Sequence, residues 1–297
     1  MRSLLSRLDR IRVRSPDPTR VGWLREWSYA HRGLHGPGRI ENSHSAFAAA
    51  LEAGLGIECD IQRSRDDYPM VFHDWDFTRL IGRPNKTEAL TAQEWRTLSY
   101  LEHEEAPIAL GELLAQVAGA VPLLIEIKSK RGYDVEPSCR GVRDALKSYE
   151  GRHAVMSFDP RVSRWFRRHS PQTLQGLVMR EDEKGYTQKP WQRRLALWIA
   201  QPEFIAYHIA ALPSPLARGL RDRGLPVLTW TVDTPELLDR ARRHADAPIV
   251  EAGGVGGAGL LPSTVWSHAW AARSALSIAT SGTRWPAGAI LSSATNS

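Results

Sequence analysis

The chain has 297 residues, of which 42% are hydrophobic and 24% are charged. This composition excludes a wholly disordered protein, and the length is sufficient for one large domain. The formal net charge of +6 favours anionic partners such as phosphate esters, nucleic acid or a lipid surface, without choosing among them.

The distribution of apolar, basic and cysteine residues narrows the class further. No segment has the roughly 18 consecutive apolar residues of a membrane span, and the N-terminus lacks the apolar stretch of a signal peptide, so we expect a cytoplasmic protein. Arginine is spread along the whole chain without basic blocks that alternate with aromatic residues, so we expect no nucleic-acid partner. Cys59 and Cys139 are too few for a disulfide framework and are expected to be reduced.

Short apolar runs between turn residues predict the strands. In chain order they span residues 27–30, 57–61, 70–72, 123–127, 153–158, 173–179, 204–208, 226–232 and 247–250. Helix-like stretches lie between most of them, at residues 43–53, 109–118, 138–149, 161–169, 191–201, 214–223 and 234–243. Strands that alternate with helices indicate crossover connections and a parallel sheet. About eight such units, without a Gly-rich phosphate loop, predict an α/β protein with a closed (β/α)8 TIM barrel.

The barrel is predicted over residues 28–261, after an N-terminal extension over 1–27 and before a C-terminal tail over 262–297. Residues 74–106 indicate a small, irregular and polar insertion after the second strand, where barrels keep functional loops. From Gly253 onward the chain is rich in Gly, Ala and Ser, so part of the tail is expected to be mobile.

Polar residues accompany the first predicted strands. His31 and Arg32 come directly after the first apolar run, and Glu41 precedes the first helix-like stretch. Glu58 and Asp60 are two residues apart and therefore point to the same side of a strand. Two carboxylates directed at one point repel each other unless a cation lies between them.

The same pattern recurs further along the chain. His73 follows the apolar run 70–72. Glu126 lies in the run 123–127, and Lys128 follows two positions later, on the same side of the strand. The sequence thus predicts that these side chains meet the earlier group at one end of the barrel.

Each of these features also has a structural interpretation. A single histidine at a strand end is more often structural than catalytic, and Glu58 and Asp60 would form surface ion pairs if their strand were exposed. Their neighbours Ile57, Cys59 and Ile61 are apolar, so the carboxylate side is predicted to face the barrel interior, where unpaired charge is unfavourable. Two histidines, three carboxylates, a lysine and an arginine together are the groups needed for metal-assisted phosphoryl transfer.

At these residues the sequence resembles the glycerophosphodiester phosphodiesterase family. The motifs that carry the resemblance, in the family's order, are His31-Arg32-Gly33, Glu41-Asn42, Glu58-Cys59-Asp60, His73-Asp74 and Glu126-Ile127-Lys128. The resemblance spans roughly residues 29–250. It implies a (β/α)8 barrel, one divalent cation, usually calcium or magnesium, and hydrolysis of glycerophosphodiesters to an alcohol and glycerol 3-phosphate.

The resemblance also implies roles by position. His31 and His73 look like the acid/base pair, although the sequence does not indicate which is the acid. The implied metal ligands are Glu58, Asp60, Glu126 and Glu41. The implied substrate-binding residues are Arg32 and Lys128 for the phosphate and Trp230 for the polyol. Apart from the resemblance, the position of the loops places the head group of the diester against the insertion and the later strand ends near Phe158, His208 and Trp230.

Two other functions remain open from the sequence. One is a lysophospholipase D or another lipid-directed phosphodiesterase on the same barrel, since the leucines, tryptophans and arginines of residues 1–27 could make weak peripheral contact with an anionic membrane. The same segment could instead form a helix that covers the barrel floor. The other function is a non-catalytic binder of polyol phosphates. The attacking group is water or a neighbouring hydroxyl of the substrate, and the oligomeric state is not indicated.

Overall fold

Eight parallel strands close into a barrel in the computed structural model, which describes residues 13–182 and 187–255. The described strands are β1 (Tyr29–Ala30), β2 (Gly56–Arg63), β3 (Pro69–Val71), β4 (Leu123–Ile127), β5 (His153–Ser157), β6 (Leu174–Met179), β7 (Phe204–His208), β8 (Val227–Val232) and β9 (Ala247–Val250). β1 pairs in parallel with both β2 and β9, so the ring has no open edge. The (β/α)8 barrel predicted from the alternation of strands and helices is confirmed.

Helices connect the barrel strands. They are α1 (His44–Glu52), α2 (Leu110–Val117), α3 (Val135–Leu146), α4 (Pro160–His169), α5 (Pro190–Ala200), α6 (Pro215–Arg221) and α7 (Pro235–His244), and α8 (Ala252–Val255) follows β9. Their starts follow from local chemistry. The Ser43 side chain accepts a hydrogen bond from the backbone of Ala46 at the start of α1, and α4 to α7 each begin with proline, whose missing N–H is not needed there.

Two predicted elements differ from the structure. The run 70–72 corresponds to β3, which pairs antiparallel with β2 and lies outside the ring, because residues 64–68 are too few for a crossover and form a hairpin instead. The helix predicted from residue 138 already begins at Val135. The Asp134 side chain accepts a hydrogen bond from the backbone N–H of Glu136 and caps the helix at that point.

Side chains of β2 alternate between the two faces of the barrel wall. Ile57, Cys59 and Ile61 point outward and pack in one buried cluster with residues of α1 and α2, such as Phe47. Glu58 and Asp60 occupy the positions between them and are buried as well. The sequence prediction that the carboxylates face the interior is therefore confirmed, because strand residues two apart share a face.

The described part of the N-terminal segment, residues 13–27, packs against the floor of the barrel. Val21 and Leu24 are fully buried in a cluster with interior side chains such as Tyr29, Leu124 and Phe204. This matches the interpretation of the segment as a cover of the barrel floor. Residues 1–12 lie outside the described residues, so membrane contact through them stays a prediction.

The insertion after β3 has an apolar core of its own, unlike the polar segment expected from the sequence. Phe77 packs against Phe72 with ring centroids 5.4 Å apart and edge-on against Trp95 at 4.6 Å. Ile81 and Leu98 are buried in the same cluster. The insertion is therefore a packed unit that holds the residues after β3 in place.

Three predictions concern residues or properties beyond this description. The tail over 262–297 lies outside the described residues. Within the described part of the chain, no helix is both long and apolar enough to cross a bilayer. The cytoplasmic location stays a prediction.

Candidate active site

Three carboxylates from two neighbouring strands meet inside the barrel. The parallel pairing of β2 and β4 places Asp60 beside Glu126, and Glu58 lies one inward-facing position earlier on β2. All three side chains are buried, and their ligand oxygens lie within 4.8 Å of one another. Buried carboxylates at this spacing carry a high electrostatic cost unless a cation compensates them.

The pKa values of these groups reflect that cost. Burial, followed by the charges of Asp60 and Glu126, raises the pKa of Glu58 well above its ordinary value. Burial also acts to raise the pKa of Asp60, but the charges of Lys128 and Arg32 outweigh it and hold that pKa well below its usual range. The charged form of Glu58 is thus unfavourable, whereas Asp60 beside it is ionised. This combination fits the site of a divalent cation with oxygen ligands, whose charge would stabilise both carboxylates.

Lys128 and Arg32 lie against the acidic group. The Lys128 Nζ donates to Glu126 Oε1 at 2.9 Å and to Asp60 Oδ1 at 3.2 Å. Arg32 donates its backbone N–H to Glu58 Oε2 at 3.0 Å, and its Nε lies 3.1 Å from Asp60 Oδ2. Arg32 and Lys128 thus offset part of the negative charge of the three carboxylates, and with a divalent cation also bound both side chains could contact a phosphate.

The turn that carries Arg32 depends on glycine. Arg32 has φ 56° and Gly33 has φ 76°, both in the left-handed region. A Cβ atom on Gly33 would also lie 2.8–2.9 Å from Ala46, closer than packed atoms allow. Glycine at position 33 therefore lets the chain turn sharply after β1 against α1.

Each of the two predicted catalytic histidines is anchored by a carboxylate. The Nδ1 of His31 lies 2.8 Å from Glu251 Oε1, and the Nδ1 of His73 lies 2.7 Å from Asp74 Oδ1. Engagement of Nδ1 leaves Nε2 of each ring for proton transfer. Both histidines line one cavity of about 350 Å³ together with the three carboxylates, Arg32 and Lys128.

Glu41 lies between two arginines and outside the group of three carboxylates. Its Oε1 accepts from Arg32 Nη1 at 2.9 Å, and its two oxygens accept from Arg79 at 2.7 and 3.0 Å. Arg79 in turn donates to both oxygens of Asp74, the anchor of His73. Glu41 is thus linked to His73 through a chain of ion pairs, and its implied role as a metal ligand stays a prediction.

An aromatic wall forms another side of the cavity. The Trp230 indole N–H donates to the backbone O of Ala206 at 3.2 Å, and its ring packs edge-on against Phe158 at 5.4 Å. The guanidinium of Arg180 lies 5.6 Å from the centre of the Trp230 ring. Phe158, Arg180 and Trp230 line the cavity, whereas His208 packs against Trp230 and is not among the lining residues.

Several residues of the site were not recognised in the sequence. Asn42 binds Asp60, Gln62 donates to the backbone oxygens of His73 and Asp74, and Glu251 holds His31. Glu251 follows the last predicted strand as His31 follows the first, so the rule used for His31 would have found it. Arg79 carries no such signal, because only Asp74 is near it in sequence, whereas Glu41 lies 38 positions away in another part of the chain.

A closed parallel barrel with a polar cavity at the carboxyl ends of its strands defines a (β/α)8-barrel enzyme. The model of the glycerophosphoryl diester phosphodiesterase family matches residues 31–256, and the chain belongs to this family.

Individual relatives agree with this assignment. A glycerophosphodiester phosphodiesterase of Caldanaerobacter subterraneus subsp. tengcongensis is 27% identical over 229 residues, covering 71% of this chain and 87% of the relative. The crystal structure of a glycerophosphodiester phosphodiesterase from Thermotoga maritima matches with a TM-score of 0.62 and 25% identity, over 75% of this chain and 93% of that one. An Oleispira antarctica phosphodiesterase, solved with sn-glycerol-3-phosphate as product, matches with a TM-score of 0.66 and 19% identity, over 75% and 92% of the two chains.

Proposed function

We propose that this phosphodiesterase hydrolyses glycerophosphodiesters to an alcohol and glycerol 3-phosphate in a reaction that requires calcium or magnesium. The observation that carries the proposal is the convergence of Glu58, Asp60 and Glu126 beside two carboxylate-anchored histidines in one cavity. The Oleispira antarctica enzyme of the same fold binds sn-glycerol-3-phosphate, which supports this choice of product.

The three carboxylates would hold the cation, since hard divalent cations prefer carboxylate oxygens. When bound, the cation supplies Lewis-acid stabilisation of charge on the phosphoryl oxygens. Arg32 and Lys128 are positioned beside the same carboxylates and add fixed positive charge for the phosphate. The side chains are buried or half-buried, so their charges act in a medium of lower polarity than water.

His31 and His73 would share the two proton transfers. One takes the proton of the attacking hydroxyl, and the other donates a proton to the leaving oxygen. Glu251 and Asp74 orient the rings through Nδ1, so each Nε2 is held ready. The attacker is water or the neighbouring hydroxyl of the glycerol, and detection of a cyclic phosphate during turnover distinguishes the second route. Trp230, fixed by Ala206 and Phe158, would lie against the polyol.

The test is release of glycerol 3-phosphate from glycerophosphocholine by metal-stripped protein, with calcium, magnesium or manganese added back. We expect at least one metal to restore turnover in the wild type and none to restore it in Glu126→Gln. Absence of turnover with every metal, for both glycerophosphodiesters and lysophospholipids, would leave the non-catalytic binder as the better explanation.

A lipid-directed phosphodiesterase remains the second candidate, because two neighbouring helices on the outside of the barrel carry exposed apolar and basic groups. Trp191 and Leu195, one turn apart on α5, are 60% and 46% exposed. The neighbouring helix α4 carries the exposed Arg164 and Arg168. Burial and the like charges of Arg168, Arg164 and Arg14 lower the pKa of Arg167, as expected within a dense basic patch. These groups suit an anionic bilayer surface.

Vesicle binding separates the two candidates. If substrates are taken from a membrane, the double variant Trp191→Ser, Leu195→Ser should lose binding to anionic vesicles and activity on lysophospholipid, yet keep activity on glycerophosphocholine. Leu101→Ser, at an apolar side chain that is 49% exposed in the insertion, is the matched control. Equal vesicle binding by both variants and the wild type would remove the lipid-directed candidate.

A further inference from the structure

A second group of metal-binding side chains lies beside the catalytic pair. Glu251 Oε1 is 2.8 Å from His31 Nδ1 and 3.8 Å from His35 Nε2. The ligand atoms of these three residues lie within 4.8 Å of one another. The proposed reaction uses Glu251 only as the anchor of His31 and makes no use of His35.

His35 is held in place by the backbone. The N–H of Gly33 donates to Ala30 O at 3.2 Å, and the N–H of Leu34 donates to Ala46 O at 2.9 Å. The left-handed conformation at Gly33 and its tight approach to Ala46 leave the turn little freedom. The approach of His35 to Glu251 is therefore built into the loop between β1 and α1.

One ring nitrogen of His35 is buried without a hydrogen-bond partner in the described part of the chain. Its Nε2 is shielded from solvent and has no hydrogen-bond partner among the residues that the structure describes, since Glu251 at 3.8 Å is too distant. A shielded ring nitrogen without a partner is unfavourable. A cation bound between the three side chains would satisfy this nitrogen and both neighbouring groups at once.

We propose that His31, His35 and Glu251 form a second metal site, which takes a borderline divalent cation of the zinc type and inhibits the enzyme. Two imidazoles and one carboxylate suit zinc, whereas calcium and magnesium prefer all-oxygen sites. Ligands of tetrahedral zinc are about 3.3 Å apart. The two contacts to Glu251 lie on either side of this value, so shifts of roughly 0.5 Å bring both to it, and the His31 and His35 nitrogens, which lie within 4.8 Å of each other, would have to approach by no more than about 1.5 Å.

Inhibition follows from what the cation would take from His31. It would occupy the Nδ1 lone pair, so the ring would lose Glu251 as its hydrogen-bond partner. With Nδ1 bound to the cation, the neutral ring would carry its one proton at Nε2, so Nε2 could neither accept a proton from the attacking group nor release its own without forming an imidazolate. This inhibitory consequence rests on the proposed acid/base role of His31, whereas binding of the cation does not.

Binding is tested with cobalt(II), whose visible absorption intensifies when it passes from six water ligands to a four-coordinate site. Full-length protein is titrated in saturating magnesium, which occupies the all-oxygen site. We expect the intense absorption in the wild type and in His44→Ala, an exposed histidine in α1 that serves as the control, and its loss in His35→Ala. Absence of the absorption in the wild type, or equal absorption in His35→Ala, would overturn the proposal.

Inhibition is tested by adding zinc to the glycerophosphocholine assay at saturating magnesium. A residue that hydrogen-bonds to a metal ligand contributes about tenfold to metal affinity, and a ligand itself contributes at least as much. Loss of the ligand His35 should therefore raise the inhibitory zinc concentration by at least about tenfold. His35→Gln, which keeps a polar side chain, serves as a second variant, and near-wild-type turnover of either variant without zinc shows that it is folded. Equal zinc sensitivity of the wild type and both variants would contradict an inhibitory site. The cobalt titration tests whether the three side chains bind a cation even if the protein does not cleave the diester.

Discussion

Asn42 binds Asp60 at two points. Its Nδ2 donates to Asp60 Oδ2 at 2.9 Å, and its Oδ1 accepts from the backbone N–H of Asp60 at 3.1 Å. Asn42 has φ 57°, a left-handed conformation that asparagine and glycine tolerate. The side chain thus orients one of the three carboxylates without entering the group itself.

Replacement of Asn42 by glycine should weaken metal binding. Asn42→Gly removes both hydrogen bonds but keeps a residue that accepts the positive φ. Because partners behind metal ligands contribute about 10- to 100-fold in affinity, we expect the metal dissociation constant to rise by that factor, with turnover recovered in excess metal. Titration calorimetry measures the constant. Asp67→Gly, at another left-handed residue with φ 63° in the exposed hairpin, should leave it unchanged, and an unchanged constant in Asn42→Gly would exclude the orienting role.

Each anchored histidine should be needed for turnover. We expect His31→Ala and His73→Ala each to lower kcat by about 10²–10⁴-fold, the usual contribution of a general acid or base. Losses in the double variant should fall short of the product of the single losses, since the two groups act in one reaction. Steady-state kinetics on glycerophosphocholine, with His44→Ala as control, measures the effect. Near-normal turnover of either single variant would rule out the mechanism.

Glu41→Gln should separate the two interpretations of Glu41. Because both of its oxygens accept from arginines, we expect kcat to fall about tenfold through loss of charge-assisted hydrogen bonds, with metal affinity unchanged. A metal ligand would behave differently, since its loss weakens metal binding first. Metal titration of turnover measures both quantities, and a rise in the metal requirement would support the ligand role.

Trp230 should contribute mainly to substrate binding. Its ring is fixed from behind by Ala206 and Phe158 and faces the cavity. Loss of an aromatic contact costs about 0.5–1.5 kcal/mol, so Trp230→Ala should raise KM up to about tenfold and change kcat less. Trp191→Ala, at an exposed tryptophan on α5, is the control. An unchanged KM in Trp230→Ala would place the polyol elsewhere.

The metal-free protein should lose stability as the pH rises from the ordinary carboxyl pKa to above neutrality. The folded-state pKa of Glu58 is raised by burial and by Asp60 and Glu126, so the protonated group is favoured in the folded protein. The stabilising contribution is present below the ordinary carboxyl pKa and is lost as pH rises through the raised folded-state pKa. Each unit of difference between the folded-state and unfolded-state pKa of Glu58 changes the free energy of unfolding by about 1.4 kcal/mol.

Thermal unfolding of metal-stripped protein across this pH range measures the effect. Glu58→Gln should show a smaller fall in Tm with pH than the wild type, because its amide does not ionise. It should also lose the stabilisation that added metal gives the wild type at pH 8. Parallel pH profiles of the two proteins would show that Glu58 is not the group responsible.

The barrel and most of its site residues follow from local patterns in the sequence. Apolar residues at every second position of β2 place Glu58 and Asp60 on one face, and this alternation is readable without knowledge of the neighbours. Strands that alternate with helices allow few arrangements other than parallel sheets with functional groups at the carboxyl ends. For this reason His31, His73, Glu126 and Lys128 could be assigned to one cavity from the sequence.

The partners of these residues depend on contacts between distant segments. Glu251 meets His31 across 220 positions only because β9 pairs with β1 when the ring closes, and Arg79 reaches Glu41 only because the insertion packs on its own apolar core. Strand periodicity acts over two residues and carries no information on which strand ends become neighbours. The tertiary structure therefore decides how the two histidines are oriented. It also decides that Glu41 accepts hydrogen bonds from two arginines and that His35 approaches Glu251.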